Sequence, residues 1–461
     1  LDLHETNFLI NTRMHIPFIA IRGAAMHNLA LALHENGNQV TGSDDEIKEP
    51  SFSRLKSAGL LPDDLGWHPS KLESKPDIVI LGMHARADNP ELVKAMELGL
   101  NVMSFPEFLY QHSKNKLRVV IGGSHGKTTI TSMVMHVLRE AGKDFDYMVG
   151  STIQGFNTMV KLTDAAPVIV LEGDEYLSSP IDRRPKFHLY KADIGLISGI
   201  AWDHINVFPT FDNYVEQFGI FANEIPQSGT LIYFEGDEHL TEIAEENKNH
   251  KRVLAYNVPE FNIQDGLTTI DFNGISYPVS VFGRHNLANL EGARVVCELL
   301  GVQASDFYRF AGSFKGAGRR MELVKADASR AIYRDFAHSP SKLSATIAAV
   351  REQFPNKKLI ACFELHTFSS LSDAFLEQYE STMDSADVAI VYFNPEVIAH
   401  KKLKPITVEQ VKSAFACNRL DVYMYPSSLK EKISKDFVND SVLLMMSSGS
   451  FDGVDLAAIW G

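Results

Sequence analysis

The stretch Gly122-Gly123-Ser124-His125-Gly126-Lys127-Thr128-Thr129 decides the fold. It follows an apolar run, Leu117-Arg118-Val119-Val120-Ile121, which predicts a buried strand. It precedes Ile130 to Ala141, where Met133, Val134, Val137 and Leu138 recur at helical spacing. Strand, glycine turn, then Lys-Thr at a helix start is the layout of a phosphate-binding loop. The glycines let the backbone approach closely, and the amides at the helix start attract anions. Lys127 is placed to reach terminal phosphates, and the Thr128 hydroxyl to ligate Mg2+. The plain alternative is an ordinary strand-to-helix turn. The common phosphate-loop rule sets four residues between its first Gly and Gly-Lys. Only three separate Gly122 from Gly126.

Around this loop lies a chain of 461 residues, enough for about three domains of ~150 residues each. Its 45% hydrophobic and 22% charged residues match an ordinary globular protein. The net charge of −14 argues against a nonspecific nucleic-acid surface. Cys297, Cys362 and Cys417 lie far apart without CxxC spacing, so a reduced, cytoplasmic protein is expected. No apolar run reaches the length of a membrane span. Residues 1–13 show no secretory core and are expected to be a leader, so trimming to Met14 should leave activity unchanged.

The chain opens with a βαβ pattern. Ile16 to Ile21 predicts a strand, and Arg22-Gly23-Ala24-Ala25-Met26-His27 a turn into a helix. Gln39 to Gly42 predicts a second strand, running into Ser43-Asp44-Asp45. An acidic cluster about 20 residues after a glycine turn is like a dinucleotide fingerprint. Arg22 and Ala24 stand where Gly is favoured, so nucleotide binding and a plain α/β turn both stay open. A further strand, Asp77 to Gly82, leads into a polar loop with His84 and Arg86, either ligand contacts or a solvated turn.

In the middle third, an apolar strand over 167–171 ends in Glu172-Gly173-Asp174-Glu175. Carboxylates opposite a phosphate loop suit Mg2+, which takes hard oxygen ligands. Asp182 to Phe187 is a basic turn, either solvated or anion-holding. Ile194 to Ile200 predicts a strand leading to Asp203-His204, a candidate metal ligand or base. Gly283-Arg284-His285-Asn286 opens a helix that Asn286 could cap. Phe314 to Glu322 reads as a glycine-rich basic joint. The last third alternates strands, at 331–333, 358–363, 388–393 and 442–446, with helices. Two of its strand ends carry candidate chemistry, Asp335-Phe336-Ala337-His338 and the Gly/Ser loop 447–453, whose amides could hold a carboxylate.

The shortened loop, Glu172-Gly173-Asp174-Glu175, Asp203-His204, Gly283-Arg284-His285-Asn286, Arg319-Arg320 and Asp335 to Pro340 together resemble the Mur ligase family, in the family's order. The resemblance implies a three-domain α/β architecture: a Rossmann-like UDP-sugar-binding domain over 14–113, a central phosphate-loop ATPase domain over 114–316, and a Rossmann-like amine-substrate domain over 317–461. It implies a cytoplasmic bacterial enzyme, monomeric or weakly dimeric, with ATP and Mg2+ and with neither nucleic acid nor membrane as partner.

Residue by residue, the resemblance implies ATP contacts at Gly123, Ser124, His125, Gly126, Lys127, Thr128, Thr129, His285, Asn286 and Asp335. Lys127, Glu172, His204 and Arg320 would be catalytic, and Thr128, Glu172 and His204 would hold metal. Gly23, Ala25, Met26, Ser43, Asp44 and His84 would bind the UDP-sugar, and His338, His366, Ser448 and Gly449 the amine. The opening around Gly23 and Ser43-Asp44 is similar to members acting on UDP-N-acetylmuramate. Residues 182–187 and 447–453 are similar to those that attach a murein tripeptide, L-alanyl-γ-D-glutamyl-meso-diaminopimelate, in peptidoglycan recycling. Attachment of L-alanine is the alternative, and a phosphate-loop kinase or nucleotide-binding regulator the alternative of another class. Phe218 stands where several members carry a carbamylated lysine, so no carbamate is expected. Glu364 to Phe368 departs from the Arg of many relatives.

Overall fold

The computed structural model describes residues 13–202, 207–318 and 320–460. The expected leader falls, except for Arg13, outside the described residues, as do Asp203, His204 and Arg319.

Four strands form the first sheet: β1 (His15–Ile19), β2 (Gln39–Ser43), β3 (Val79–Leu81) and β4 (Val102–Ser104), all parallel in the order β2-β1-β3-β4. The chain leaves β1 to one side for β2 and to the other for β3. The crevice at their carboxyl ends is therefore a topological switch point, where ligands of open α/β sheets bind. The helix Ala24–Glu35 starts there, capped by Gly23 with no side-chain hydrogen bond. Ile16, Phe18, Val40 and Ile80 pack with that helix's Met26, Leu29 and Leu33.

The second sheet contains β5 (Leu117–Gly122), β6 (Asp146–Met148), β7 (Val160–Lys161), β8 (Val168–Glu172), β9 (Ile194–Ile197), β10 (Thr230–Phe234) and β11 (Arg252–Tyr256). Their order is β11-β10-β9-β5-β8-β6-β7, parallel except for the β6–β7 pair. β5 lies between β8 and β9, so the loop after it also occupies a switch point. The central strands β5, β8 and β9 are mostly apolar because both of their faces are covered. Val119, Val120, Ile121, Leu196 and Ile197 are all fully buried. The expected strand over 194–200 stops at Ile197, because Gly199, at φ 143°, turns the chain.

An antiparallel meander follows: β12 (Phe261–Gln264), β13 (Leu267–Phe272) and β14 (Ile275–Val279). The last sheet holds β15 (Glu322–Ala326), β16 (Ala331–Asp335), β17 (Lys358–Leu365), β18 (Val388–Phe393), β19 (Leu420–Tyr423) and β20 (Ser441–Met446). Its order is β15-β16-β20-β17-β18-β19, with only the β15–β16 pair antiparallel. β17, β18 and β20 are buried on both faces, which is why their sequences show no alternation.

The chain forms two compact units. One runs to Asn257 and includes Gly292–Val302; the other joins Val258–Glu291 to the chain from Gln303. The helix Arg284–Leu299 contributes to both. It starts before Asn286, whose amide donates to Phe282 O at 3.1 Å, so the expected capping role of Asn286 is corrected.

Candidate active site

The turn after β5 is built on two glycines with positive φ, Gly123 at 125° and Gly126 at 79°. A Cβ on Gly123 would lie 2.8 Å from Ser198 N, so a side chain there is excluded by contact as well as by conformation. Backbone bonds from Ser124 N to Gly199 O (2.9 Å) and from Ser198 N to Gly122 O (3.1 Å) fix the loop against the segment after β9. The helix Lys127–Glu140 starts directly behind, with no side-chain cap on its first amides. Thr129 is buried behind the loop, and the His125 carbonyl accepts from Ser198 Oγ.

Lys127 and Thr128 meet carboxylates from the end of β8. Lys127 Nζ donates to Gly123 O and to Glu175 Oε2, each at 2.6 Å. Burial works against its charge, but Glu175 and Asp174 outweigh burial and hold the ammonium above its ordinary range. Thr128 Oγ1 donates to Glu172 Oε1 at 2.8 Å, and Gly150 N donates to Glu172 Oε2 at 2.7 Å. The register that sets Ile121 beside Glu172 brings this carboxylate to the loop. Asp174 is paired with Lys186 at 2.5 Å. A hydroxyl and a carboxylate 2.8 Å apart form a hard oxygen pair of the kind Mg2+ takes. The remaining expected metal ligand, His204, lies outside the described residues.

Around the first sheet, a cleft of about 300 Å³ is lined by Arg22, Gly23, His27, Lys48, Ser51 and His84, among others. Asp44 is buried beneath it and accepts from Arg22 N at 2.8 Å, with Arg22 Nε at 3.4 Å. Burial pushes the Asp44 carboxyl up to about 6, against the pull of Arg22. Burial, then the charges of Arg22 and Lys186, lower His84. The Ser43 carbonyl accepts from Ala20 N and Ile21 N, and its hydroxyl meets Lys71 Nζ at 3.4 Å. Met26 commits its side chain to the core, with Ala25 packed beside it. In the basic turn expected at 182–187, Arg184 closes on Asp182 at 2.6 Å, and Lys186 pairs with Asp174 beyond the end of β8.

In the second unit, Asp335 ends β16. Its oxygens accept from Met321 N at 2.7 Å and from Ala337 N at 2.8 Å. His285 is lowered by burial, opposed by the Asp335 charge. The Arg320 guanidinium lies over the Phe336 ring at 4.2 Å. His338 Nδ1 is bonded to Phe336 O at 2.8 Å. The loop after β20 does hold a carboxylate, but it is the protein's own. Glu364, nearly fully buried on β17, accepts from Phe451 N at 2.8 Å and from Ser447 Oγ, while Gly449 N donates to Ser447 Oγ at 2.6 Å. His366 Nδ1 is 3.6 Å from Glu364, and the Ser448 hydroxyl is buried beside them. The expectation that these amides await an external carboxylate is thereby corrected at Phe451 and Gly449.

Sequence reasoning quoted Glu175 among the strand-end carboxylates and Glu364 as a departure from the Arg of relatives, gave neither its partner, and missed Tyr214. Glu175 stands three residues after a metal-type carboxylate, a signal that could have found it. Phe218 is fully buried, in edge contact with Phe187 and Tyr214.

A glycine loop at a sheet's switch point, with a lysine, a hydroxyl and two carboxylates converging on it, defines a phosphate-loop enzyme. Residues 15–117 match the Mur ligase family catalytic domain, 121–297 the Mur ligase middle domain, and 319–449 the Mur ligase glutamate ligase domain. The chain belongs to the Mur ligase family, an enzyme class that forms amide bonds with ATP, and has its three-domain α/β fold. It is 29% identical over 455 residues to the UDP-N-acetylmuramate–L-alanine ligase of Persephonella marina, spanning 95% of this chain and 94% of that protein. It is 26% identical over 459 residues to the UDP-N-acetylmuramate–L-alanyl-gamma-D-glutamyl-meso-2,6-diaminoheptandioate ligase of Haemophilus influenzae, spanning 95% and 97%. The crystal structure of the Thermotoga maritima UDP-N-acetylmuramate–alanine ligase superposes with a TM-score of 0.71 at 20% identity, over 95% of this chain and 96% of that one. Among the described residues, no helix is long and apolar enough to cross a membrane.

Proposed function

We propose that the enzyme joins the lactyl carboxylate of UDP-N-acetylmuramate to the free amine of L-alanyl-γ-D-glutamyl-meso-diaminopimelate, at the expense of ATP, in peptidoglycan recycling. The observation that carries the chemistry is the convergence of Lys127, Thr128, Glu172 and Glu175 at one loop. Resemblance in residues 182–187 and 447–453 supports the tripeptide. L-alanine is the second reading, favoured by the 29% identical relative.

In the first step the carboxylate oxygen attacks the γ-phosphorus, the bond to the β-phosphate oxygen breaks, and ADP leaves an acyl phosphate. In the second step the amine attacks the acyl carbon, loses a proton, and expels inorganic phosphate. Phosphoryl transfer is mostly positioning and charge neutralisation. Lys127 exchanges Glu175 for the β- and γ-phosphates, and the loop amides orient them. Thr128 and Glu172 would hold Mg2+, which supplies charge neutralisation when bound. The resemblance assigns Arg320 to the γ-phosphate, His285 and Asn286 to the adenine, and Asp335 to the ribose. The cleft with Gly23 and His84 takes the UDP-sugar. His338, His366, Ser448 and Gly449 face the amine.

The test is phosphate release from ATP with UDP-N-acetylmuramate and either amine. Turnover with tripeptide and little with L-alanine is expected. The reverse preference moves the enzyme to the alanine-adding reaction, and release indifferent to the UDP-sugar refutes the substrate.

A further inference from the structure

Behind Lys127 lies a chain of buried hydroxyls that the reaction above does not use. Tyr214, on the helix Phe211–Glu224, is fully buried, its ring 5.3 Å from Phe208 and 5.2 Å from Phe218. Its hydroxyl donates to Glu175 Oε1 at 3.1 Å and is 2.9 Å from Ser124 Oγ. Ser124 Oγ also accepts from Ala201 N at 2.9 Å. A phenol has one proton, and Tyr214 gives it to Glu175. The Ser124 hydroxyl must therefore donate to Tyr214. The direction is fixed throughout: Ala201 N–H to Ser124, Ser124 O–H to Tyr214, Tyr214 O–H to Glu175. The other Glu175 oxygen receives Lys127 Nζ at 2.6 Å. One phenol thus touches the phosphate loop at Ser124 directly and at Lys127 through Glu175.

Buried hydrogen-bond chains of this kind polarise one another and hold each member in one orientation. We propose that Tyr214 is a positioning residue for phosphoryl transfer: its hydroxyl orients Glu175, and Glu175 holds Lys127 charged and aimed at the loop before nucleotide arrives. The proposal rests on reading Lys127 as the phosphate-binding lysine. Packing alone requires only the ring, so the hydroxyl separates a positioning role from a structural one.

Tyr214→Phe removes the hydroxyl and keeps the ring. It is expected to raise KM for ATP about 10-fold or more (10-fold corresponds to ~1.4 kcal/mol), to leave KM for UDP-N-acetylmuramate within about twofold, and to move Tm little. ATP kinetics within about twofold of the parent overturn the proposal. So does an equal loss toward both substrates. Should Y214F fail to fold, Glu175→Gln removes the charge through which Tyr214 acts on Lys127 and carries the same expectation and the same overturning result. Lys127→Ala is assayed in parallel. Retained turnover there would sink the reading of the lysine itself, whereas a dead K127A beside an unaffected Y214F sinks only the role of Tyr214.

Discussion

Lys127, half-buried, and Asp44, buried, are charged groups whose surroundings act in opposite senses. Carboxylates keep Lys127 cationic, and phosphate can replace them without leaving the site unbalanced. Lys127→Ala should therefore lower phosphate release by about 100-fold or more while leaving UDP-sugar affinity, read by calorimetry, intact. Turnover within about tenfold of the parent would refute this. Asp44 is held up to about 6, above the ~3.9 of an unfolded chain. Between these values the native state binds more protons than the unfolded state, so this group's contribution to stability falls as pH rises through that window. The fall is read as the difference between the parent and Asp44→Asn in urea unfolding across about pH 4 to pH 6, where the parent should lose stability relative to the variant as pH rises. An identical slope in the variant would contradict the assignment. Gly123→Ala meets both a φ of 125° and the Ser198 backbone; a loss of about 1–3 kcal/mol is expected by denaturant titration.

Among elements, the strands were the most legible. Runs such as Val119-Val120-Ile121 and Val388 to Phe393 are apolar because both faces are covered, and this leaves a signature in a single sequence. The phosphate loop was legible for a related reason, because local backbone conformation selects its glycines. Side-chain partnerships were not. Glu175 finds Lys127 from 48 positions away and Glu364 finds Ser447 from 83, and only the sheet order brings them together. Asn286 misled for the opposite reason: it is a cap-type residue that lies inside the helix and bonds back to Phe282. The helix Phe211–Glu224 gives a direct check on packing. Phe218 is enclosed by Phe187 and Tyr214, so Phe218→Ala should cost about 3–5 kcal/mol, measured by chemical unfolding. A cost below about 1 kcal/mol would mean that the aromatic cluster closes over the gap.

At the scale of the molecule, the chain enters its second unit after Asn257, returns at Gly292, and leaves again after Val302. A polypeptide ending at residue 302 should thus keep residues 13–257 resistant to protease while 258–291 are cut. Protection of 258–291 in that fragment would show that they fold without the remainder. The meander β12–β14 is tied to a distant partner, Gln353, which takes Thr268 Oγ1 at 2.9 Å and donates to Gly266 O at 2.6 Å. During synthesis that partner is late. At about 5–20 residues per second the ribosome needs roughly 3–12 s to pass from residue 291 to residue 353. For that interval the meander has emerged without the side chain that anchors it, so slowing translation over 292–353 would lengthen its exposure to proteases and chaperones in the cell.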